Sequence, residues 1–268
     1  MSVHDIAQDL RAEHEALDAV VAPLDADRWR LATPSPGWTV ADQIGHLTYF
    51  DAAAVVAITE PERFLLERAE LARRAASHDA GYDDLTLSAY RAMDAAELLV
   101  AWRAGRAALI EAATRLTDAT RVEWYGPSMS SRSFLTARQM ETWAHGQDVV
   151  DAAGGSRSAT DCLRNIAQLG VITRGWSYQV RGRRVPDGDV RVELLAPSGA
   201  VWLWGPASGP DRIVGDAEDF CLVTTQRRHV DDTALSVVGP FAREWMSIAQ
   251  AFAGGATSRP AASQAADL

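Results

Sequence analysis

The stretch SFLTARQMETWAHGQDVVDAA runs from Ser133 to Ala153 and is followed directly by Gly154-Gly155. A serine ahead of a periodic apolar run is a common N-cap, because its hydroxyl accepts a hydrogen bond from the first helical turn. Paired glycines commonly end a helix. The sequence therefore predicts one long helix from Phe134 to Ala153, with Ser133 as its N-cap and the two glycines as its end.

Polar side chains of this helix form a stripe. Glu141 and His145 are one turn apart and project from the same face, and Asp148 continues the stripe by a further turn. A carboxylate and an imidazole at this spacing can bind one divalent metal ion from the same side. Taken alone, an acid four residues before a histidine is more often an exposed helix pair. A metal site therefore needs a second histidine on another helix.

His46 supplies that second histidine. It lies within a predicted helix that Thr39 caps, with Asp42 three residues after the cap and Trp38 packing back as a hydrophobic staple. The alternative for His46 is a partly buried histidine bonded to a carboxylate, which is a common outcome in a bundle.

Together, His46, Glu141 and His145 offer two imidazoles and one carboxylate. A three-ligand set of this kind leaves coordination positions open, as expected for a catalytic rather than a structural metal. Asp42 or Asp148 could orient a ligand histidine through a hydrogen bond. For each of these two acids, a solvated helix position is the commoner alternative.

The first half of the chain is predicted to be a helix bundle. Apolar residues recur at helical spacing in five segments: Val3 to Val21, Thr39 to about Ile58, Pro61 to about Ala76, an Asp94-capped segment to near Leu116, and the Phe134 helix. Residues 78–84 and 124–131 are predicted connections. Four long helices and an accessory one can bury a core and hold a site between facing helices. His14, flanked by Glu13 and Glu15, is expected to be solvated.

The second half predicts a small α+β domain. Helices are expected at Thr160 to about Arg181, Asp216 to Thr225 and Pro240 to Phe252, and strands at Arg191–Leu195, Ala200–Trp204, Asp211–Val214 and Ala234–Val238. In the second strand, Trp202 and Trp204 point away from Val201 and Leu203 and are expected to pack in a core or against another domain. The chain is therefore α+β overall, with a bundle at residues 1–155, an α+β domain at 156–253 and a disordered tail at 254–268.

Composition excludes several partner classes. The 268 residues carry a net charge of −10, so binding to nucleic acid or to an anionic membrane is not expected. No apolar run approaches the roughly 20 residues that span a bilayer. Cys162 and Cys221 are expected to be buried free thiols, and Met1–Asp5 lacks the features of a signal peptide, which together indicate a cytoplasmic protein. We expect a small-molecule substrate and a monomer or homodimer.

These residues carry a resemblance to a known family. Gly37-Trp38-Thr39-Val40-Ala41-Asp42, followed by His46, is similar to the start of the maleylpyruvate isomerase N-terminal domain of the DinB-like superfamily. The later Glu141-x-x-x-His145-x-x-Asp148 resembles the second metal-binding motif of that domain. The resemblance covers about residues 1–155, and the second half is similar, more loosely, to the sterol-carrier-like C-terminal module of that isomerase.

The resemblance implies a DinB-like four-helix bundle that holds a divalent metal, usually zinc, through His46, Glu141 and His145. Mycothiol-dependent members use this metal to bind and activate the thiol of mycothiol, the low-molecular-weight thiol of actinobacteria. The implied function is a metal-dependent, mycothiol-using isomerase or thiol S-transferase that acts on a small electrophile. Arg227 or Arg228 could clamp a substrate carboxylate, although arginines of this kind more often form surface ion pairs.

Two alternatives of other kinds remain open. One is a metal-dependent hydrolase that uses a metal-bound water and no thiol. The other is a non-catalytic protein whose C-terminal domain binds an apolar ligand while the metal is structural or vestigial. Turnover that depends on a thiol favours the mycothiol-using enzyme. Turnover without a thiol favours the hydrolase, and metal binding without turnover favours the binding protein.

Overall fold

The computed structural model describes residues 1–77 and 81–257. The chain divides into two compact units, Met1–Arg157 and Ser158–Leu268. The first unit is helical apart from one short hairpin and the second mixes helices with a sheet, so the predicted α+β class is confirmed. Most of the predicted disordered tail, residues 258–268, lies outside the described residues, as do residues 78–80 of a predicted connection.

The first unit is a bundle of long helices. Its elements are α1 (Val3–Val21), α2 (Ala26–Trp29), α3 (Val40–Thr59), α4 (Pro61–Ser77), α5 (Tyr82–Arg91), α6 (Ala95–Ala113), β1 (Arg121–Val122), β2 (Met129–Ser130) and α7 (Ser131–Ala153). Helix α3 packs against α6 and α7, and α1 packs against α7 and α6. Helix α5, which covers part of a predicted connection, was missed because its start at Gly81 has no side-chain cap to mark it.

The helix start that carries His46 agrees with the prediction. The Thr39 side chain accepts from the Asp42 backbone, and the Asp42 carboxylate accepts from the Thr39 backbone, which is the reciprocal capping box that the sequence indicates. This cap begins α3 at Val40 and so fixes the position of His46 in the second turn of the helix.

The predicted N-cap of α7 was wrong. Ser130, not Ser133, is the cap, and its hydroxyl accepts from the Ser133 backbone. The short β1–β2 hairpin brings the chain to Ser130 in an extended conformation, and Ser131 then donates to the Thr117 carbonyl at 2.8 Å. Helix α7 therefore begins three residues earlier than predicted. It ends as predicted at Gly154, whose positive φ of 66° suits glycine.

A polar layer separates two apolar parts of the bundle core. One part contains Val3, Ile6, Leu10, Phe64, Leu109 and Phe134, among others, and the second contains Leu17, Ile44, Leu47, Trp102 and Val149. Between them lie buried polar side chains from α1, α3 and α7, including His14, Asp51, Arg138 and Thr142. The predicted metal ligands lie in this same middle part of α3 and α7.

The second unit has a four-stranded sheet. Its elements are α8 (Leu163–Ile172), α9 (Arg174–Gln179), β3 (Arg191–Leu195), β4 (Val201–Trp204), β5 (Arg212–Asp216), α10 (Ala217–Thr224), a 3₁₀ turn (Val230–Asp232), β6 (Ser236–Val238) and α11 (Pro240–Ile248). The strand order is β4-β3-β5-β6, with β3 and β5 parallel and the outer pairings antiparallel. Trp202 is 5% exposed while Val201 and Leu203 are exposed, so the predicted alternation in β4 is confirmed.

Two helix predictions in this unit were wrong. The predicted Thr160–Arg181 helix is interrupted at Thr173, whose hydroxyl donates to the Leu169 carbonyl at 2.8 Å and competes with the backbone for that acceptor. The last helix ends at Ile248 rather than Phe252, because Ala249 turns into an extended conformation. Both cysteines are free as expected, although Cys162 is only half-buried. Among the described residues, none of the helices combines the length and the apolar character that crossing a bilayer requires.

Candidate metal centre

The structure brings the three predicted ligands together. His46 lies on α3, and Glu141 and His145 lie one turn apart on α7, which packs against α3. Glu141 Oε2 is 3.1 Å from His145 Nε2 and 3.7 Å from His46 Nε2. The three donor atoms lie within 4.8 Å of one another. In residues 1–77 and 81–257 this is the one group of three or more His, Cys, Asp or Glu side chains that converges in this way. We call it the metal cluster.

The spacing suits one metal ion. Zinc binds nitrogen and carboxylate oxygen at about 2.0–2.2 Å, so donors around one ion lie roughly 3–4 Å apart. The three side chains keep 18%, 25% and 10% of their surface exposed for His46, Glu141 and His145, respectively. A ligand from solution can therefore reach the cluster.

A hydrogen-bond network decides which nitrogen of His145 faces the cluster. The Thr33 hydroxyl donates to the Trp38 carbonyl at 3.0 Å, so it accepts from the Gln43 amide nitrogen at 2.8 Å. The Gln43 carbonyl oxygen then faces His145 Nδ1. Since a carbonyl can only accept, Nδ1 carries the proton and the Nε2 lone pair points to Glu141.

This arrangement places two electron-rich atoms side by side. With Nδ1 protonated, a neutral His145 presents a lone pair to the Glu141 carboxylate across 3.1 Å. Such a contact is favourable only when a positive charge, a proton or a metal ion, lies between the two atoms. The donor set therefore fits a divalent cation.

The acidities of the ligands agree with this role. Burial lowers the pKa of His46 to about 4, assisted by the nearby His145, so His46 is neutral at pH 7. Burial opposes ionisation of Glu141, but the imidazoles of His145 and His46 beside it hold the pKa of its carboxyl well below the usual range. A neutral imidazole and an ionised carboxylate are the forms that bind a metal.

Aromatic rings enclose the two histidines. Trp38 stacks on His145 with ring centroids 5.7 Å apart and an angle of 16°, and it lies 5.1 Å from His46. The ring centroid of Phe50 lies 4.6 Å from that of His46. The Trp38 indole nitrogen donates to Asp83 of α5 at 2.8 Å, which anchors the ring. Trp38 was predicted to be a helix staple, whereas it forms a wall of the site.

The two predicted orienting acids have different positions. Asp42 accepts from Thr39 and, at 2.7 Å, from Arg91, and none of its described contacts involves a ligand histidine. Asp148 Oδ2 lies 4.0 Å from His145 Nδ1 and accepts from Ser35 at 3.1 Å. The hydrogen bond to His145 Nδ1 is made by Gln43, and an orienting role of either acid stays a prediction.

Sequence reasoning missed Gln43 and misjudged Trp38. Gln43 is a fully buried polar residue one turn before His46, within the apolar start of α3. A polar residue on an apolar stripe was the signal that could have revealed it.

Arg227 and Arg228 lie in the second unit, after α10. The side chain of Arg227 donates to the Thr225 carbonyl at 2.7 Å, and that of Arg228 donates to the Arg227 carbonyl at 2.8 Å. Their role as a substrate clamp stays a prediction.

A second histidine–carboxylate group lies deeper in the polar layer. His14 was expected to be solvated, but it is only 2% exposed, and its Nε2 lies 3.6 Å from Asp51 Oδ2. Arg138 donates to Asp51 Oδ1 from Nη2 at 2.8 Å and from Nε at 3.3 Å. The prediction failed because the flanking acids do not face water together: Glu13 is also buried, 3.5 Å from Arg157. We call His14, Asp51 and Arg138 the buried cluster.

Comparisons with known proteins agree with the geometry. The profile of the family described as the mycothiol maleylpyruvate isomerase N-terminal domain matches residues 10–150. Two proteins of Mycobacterium tuberculosis, both named as uncharacterized and from strains CDC 1551 / Oshkosh and ATCC 25618 / H37Rv, are each 48% identical over 246 residues. These matches cover 92% of this chain and 94% of the relative.

Solved structures show the same fold. Crystal structures of the mycothiol-dependent maleylpyruvate isomerase and of a histidine-to-alanine mutant of it both match with a TM-score of 0.56 and 16% identity. Each match covers 88% of this chain and 93% of the other. At this level of identity, the likeness concerns the fold.

Proposed function

This chain belongs to the mycothiol maleylpyruvate isomerase family, and from that membership and the metal cluster we propose a divalent-metal-dependent enzyme that uses mycothiol. The proposed activity is that of an isomerase or thiol S-transferase acting on a small electrophile. The membership itself agrees with the resemblance expected from the two sequence motifs.

One observation carries the proposal. Glu141 Oε2 lies 3.1 and 3.7 Å from the Nε2 atoms of His145 and His46, in a half-buried site where the Gln43 carbonyl turns the lone pair of one imidazole toward the carboxylate. These three atoms would hold the metal, with zinc as the expected ion. A bound divalent cation would stabilise the thiolate form of a thiol near neutral pH.

The protein's own residues prepare the site. Gln43 holds His145 in the tautomer that offers Nε2, and Trp38 fixes the plane of that ring. Phe50 and Trp38 contact the histidines and shield them from water, while the partial exposure of Glu141 leaves a route for thiol and electrophile. Shielding by aromatic rings strengthens the electrostatic interactions inside the site.

We also propose a cytoplasmic location and a small-molecule substrate. The two free cysteines are consistent with a reducing compartment. A low-molecular-weight thiol stays reduced, and so can serve as a cosubstrate, in such a compartment.

The first experiment is a metal measurement. We would determine the metal content of tag-free protein for wild type and for His46→Ala, Glu141→Gln and His145→Ala, with His4→Ala, an exposed histidine, as the matched control. The expected result is about one equivalent of zinc in wild type and control and its loss in the three variants. A wild type that stays metal-free after zinc is added would contradict the proposal.

A second measurement separates the reaction classes. Turnover of small electrophiles would be compared with and without mycothiol, using the zinc-loaded protein. Turnover that requires the thiol supports the proposal. Turnover without thiol would indicate a hydrolase, and zinc binding without turnover would indicate a binding protein.

A further inference from the structure

Three side chains of the second unit meet between α9 and α11. Arg174 and Tyr178 are four residues apart on α9 and share one face, and Trp245 lies on α11, which packs against α9. The Arg174 guanidinium carbon lies 5.8 Å from the centre of the Trp245 ring. Tyr178 is 0% exposed and Trp245 is 1% exposed. We call these three residues the donor cluster.

Four buried polar atoms of the donor cluster have no hydrogen-bond partner in the part of the chain that the structure describes. They are Nε and Nη2 of Arg174, the hydroxyl of Tyr178 and Nε1 of Trp245. A buried polar group without a partner is costly, and native proteins contain few of them. Four such atoms on three adjacent side chains therefore point to a missing common partner.

The chemistry of these atoms defines that partner. The three nitrogens can only donate hydrogen bonds, and the tyrosine hydroxyl can also donate. Burial raises the pKa of Tyr178, so its hydroxyl keeps its proton. An ionised carboxylate has two oxygens that accept about four hydrogen bonds, and the edge of an arginine formed by Nε and Nη2 binds both oxygens in a bidentate manner.

The local charge favours an anion. Although the chain carries a net charge of −10, the segment after α9 is basic, and Arg181 lies close enough to Arg183 that burial and this second cation together lower its pKa. Burial is the main cause of the raised pKa of Tyr178; the nearby acid Glu244 raises it further, whereas Arg174 lowers it. The Glu244 side chain is 41% exposed and lies 3.9 Å from Arg183. Glu244 is thus already engaged by another arginine at the edge of the cluster.

We propose that the donor cluster of Arg174, Tyr178 and Trp245 binds the single carboxylate group of a small organic acid. Arg174 would bind both oxygens with its Nε–Nη2 edge, while Tyr178 and Trp245 each donate one further hydrogen bond. The site lies within the second unit and does not depend on the proposed function of the metal cluster.

The test observes Trp245 directly in the full-length protein. Tryptophan would be labelled with ¹⁵N, and the indole signals recorded while sodium acetate is added at constant ionic strength, with sodium chloride as the reference salt. Trp245→Phe identifies the signal. The expected result is a saturable shift of this signal with half-saturation in roughly the millimolar range, as befits so small a ligand. The indole of Trp204, which donates to Gln168 at 2.7 Å in the same unit, should not shift.

Variants test the individual donors. Arg174→Gln should reduce acetate affinity by about a hundredfold and Tyr178→Phe by about tenfold, because bonds to a charged acceptor are the strong ones. Arg184→Gln, a matched exposed arginine that pairs with Asp187, should leave the affinity unchanged. Thermal unfolding of each variant verifies that it is folded, and the Tyr178→Phe result stands if Arg174→Gln does not fold.

Glu244 provides the decisive alternative. If the Glu244 carboxylate occupies the donor cluster in the wild-type protein, acetate will bind to Glu244→Gln but not to wild type. That result would overturn the proposal. A shift of Trp245 that chloride reproduces, or an acetate response that survives in Arg174→Gln, would overturn it as well. Binding of acetate to both wild type and Glu244→Gln supports it.

Discussion

The metal cluster and the buried cluster both place a histidine beside a carboxylate in the polar layer of one bundle. They differ in the third residue. In the metal cluster the carboxylate of Glu141 faces a second imidazole, that of His145, whereas in the buried cluster Asp51 faces the guanidinium of Arg138. An arginine brings a permanent positive charge, so Asp51 is neutralised by the chain itself. Two imidazoles bring no permanent charge, which is why we propose that Glu141 binds a cation from outside the chain.

Burial follows the same division. The side chains of Asp51 and Arg138 are 0% and 3% exposed, while Glu141 keeps 25% of its surface exposed. A pair that compensates its own charge can be fully buried in the core, whereas a proposed metal site has to stay accessible to its ion. Helix α7 contributes to both clusters, because Arg138 lies one turn before Glu141.

The largest expected effect comes from breaking the buried cluster. Arg138→Leu removes the guanidinium that compensates the Asp51 carboxylate in the core, and we expect the free energy of unfolding to fall by about 3–5 kcal/mol. Urea denaturation measures this change. The double variant Arg138→Leu/Asp51→Leu should recover much of the loss, and Arg184→Leu, from an exposed pair with Asp187, should cost less than about 1 kcal/mol. Equal losses in the buried and exposed variants would contradict this account.

The next effect is a pH dependence of stability that His14 causes. Burial lowers the pKa of His14 from 6.5 to about 4, although Asp51 acts in the opposite direction and Arg106 and Arg138 assist. Between these values the unfolded chain binds a proton that the folded chain does not. The free energy of unfolding should therefore be fully retained above pH 6.5 and fall on acidification to pH 4, by on the order of 3 kcal/mol from this residue.

Chemical denaturation in the presence of a chelator, at several pH values, checks this dependence. His14→Gln should show a smaller decrease from pH 6.5 to 4 than wild type, whereas exposed His4→Gln should match wild type. An unchanged pH profile in His14→Gln would show that His14 is not the titrating group.

A smaller effect is expected from the orientation of His145. Gln43→Ala removes the carbonyl that fixes its tautomer, and we expect zinc affinity to fall by about 10–100-fold with the three ligands still present. Competition with a chromogenic chelator measures the affinity. Gln147→Ala, which removes a half-buried glutamine on α7 that bonds to Asp151, is the matched control. Equal zinc affinity in the two variants would rule out the orienting role.

The smallest effect concerns the aromatic wall. Asp83→Ala removes the acceptor of the Trp38 indole and should weaken zinc binding only a few-fold, because about 1 kcal/mol or less is lost and the stacked ring stays close to His145. The same chelator competition applies. A loss as large as that of Gln43→Ala would mean that α5, rather than α3, positions the ligand histidine.

Local patterns predicted much of this fold because they act over one or two helical turns. The capping box at Thr39 and Asp42, the ends of α1 and the spacing of Glu141 and His145 depend only on neighbouring residues. The prediction of Ser133 as the cap of α7 was wrong, because several serines there are locally equivalent. The pairing of β1 with β2 and the bond from Ser131 to the Thr117 carbonyl place the cap at Ser130.

The sequence by itself determined the long helices, the α+β class and the candidate ligands His46, Glu141 and His145, since helical periodicity and spacing are local properties. Only the tertiary structure decided what surrounds them. It buried His14 beside Asp51, placed the Gln43 carbonyl on His145 and laid Trp38 across the site. Those contacts join residues that are far apart in the sequence. The packing of α1, α3 and α7 therefore decides that Asp51 lies beside an arginine of the chain and Glu141 beside two histidines.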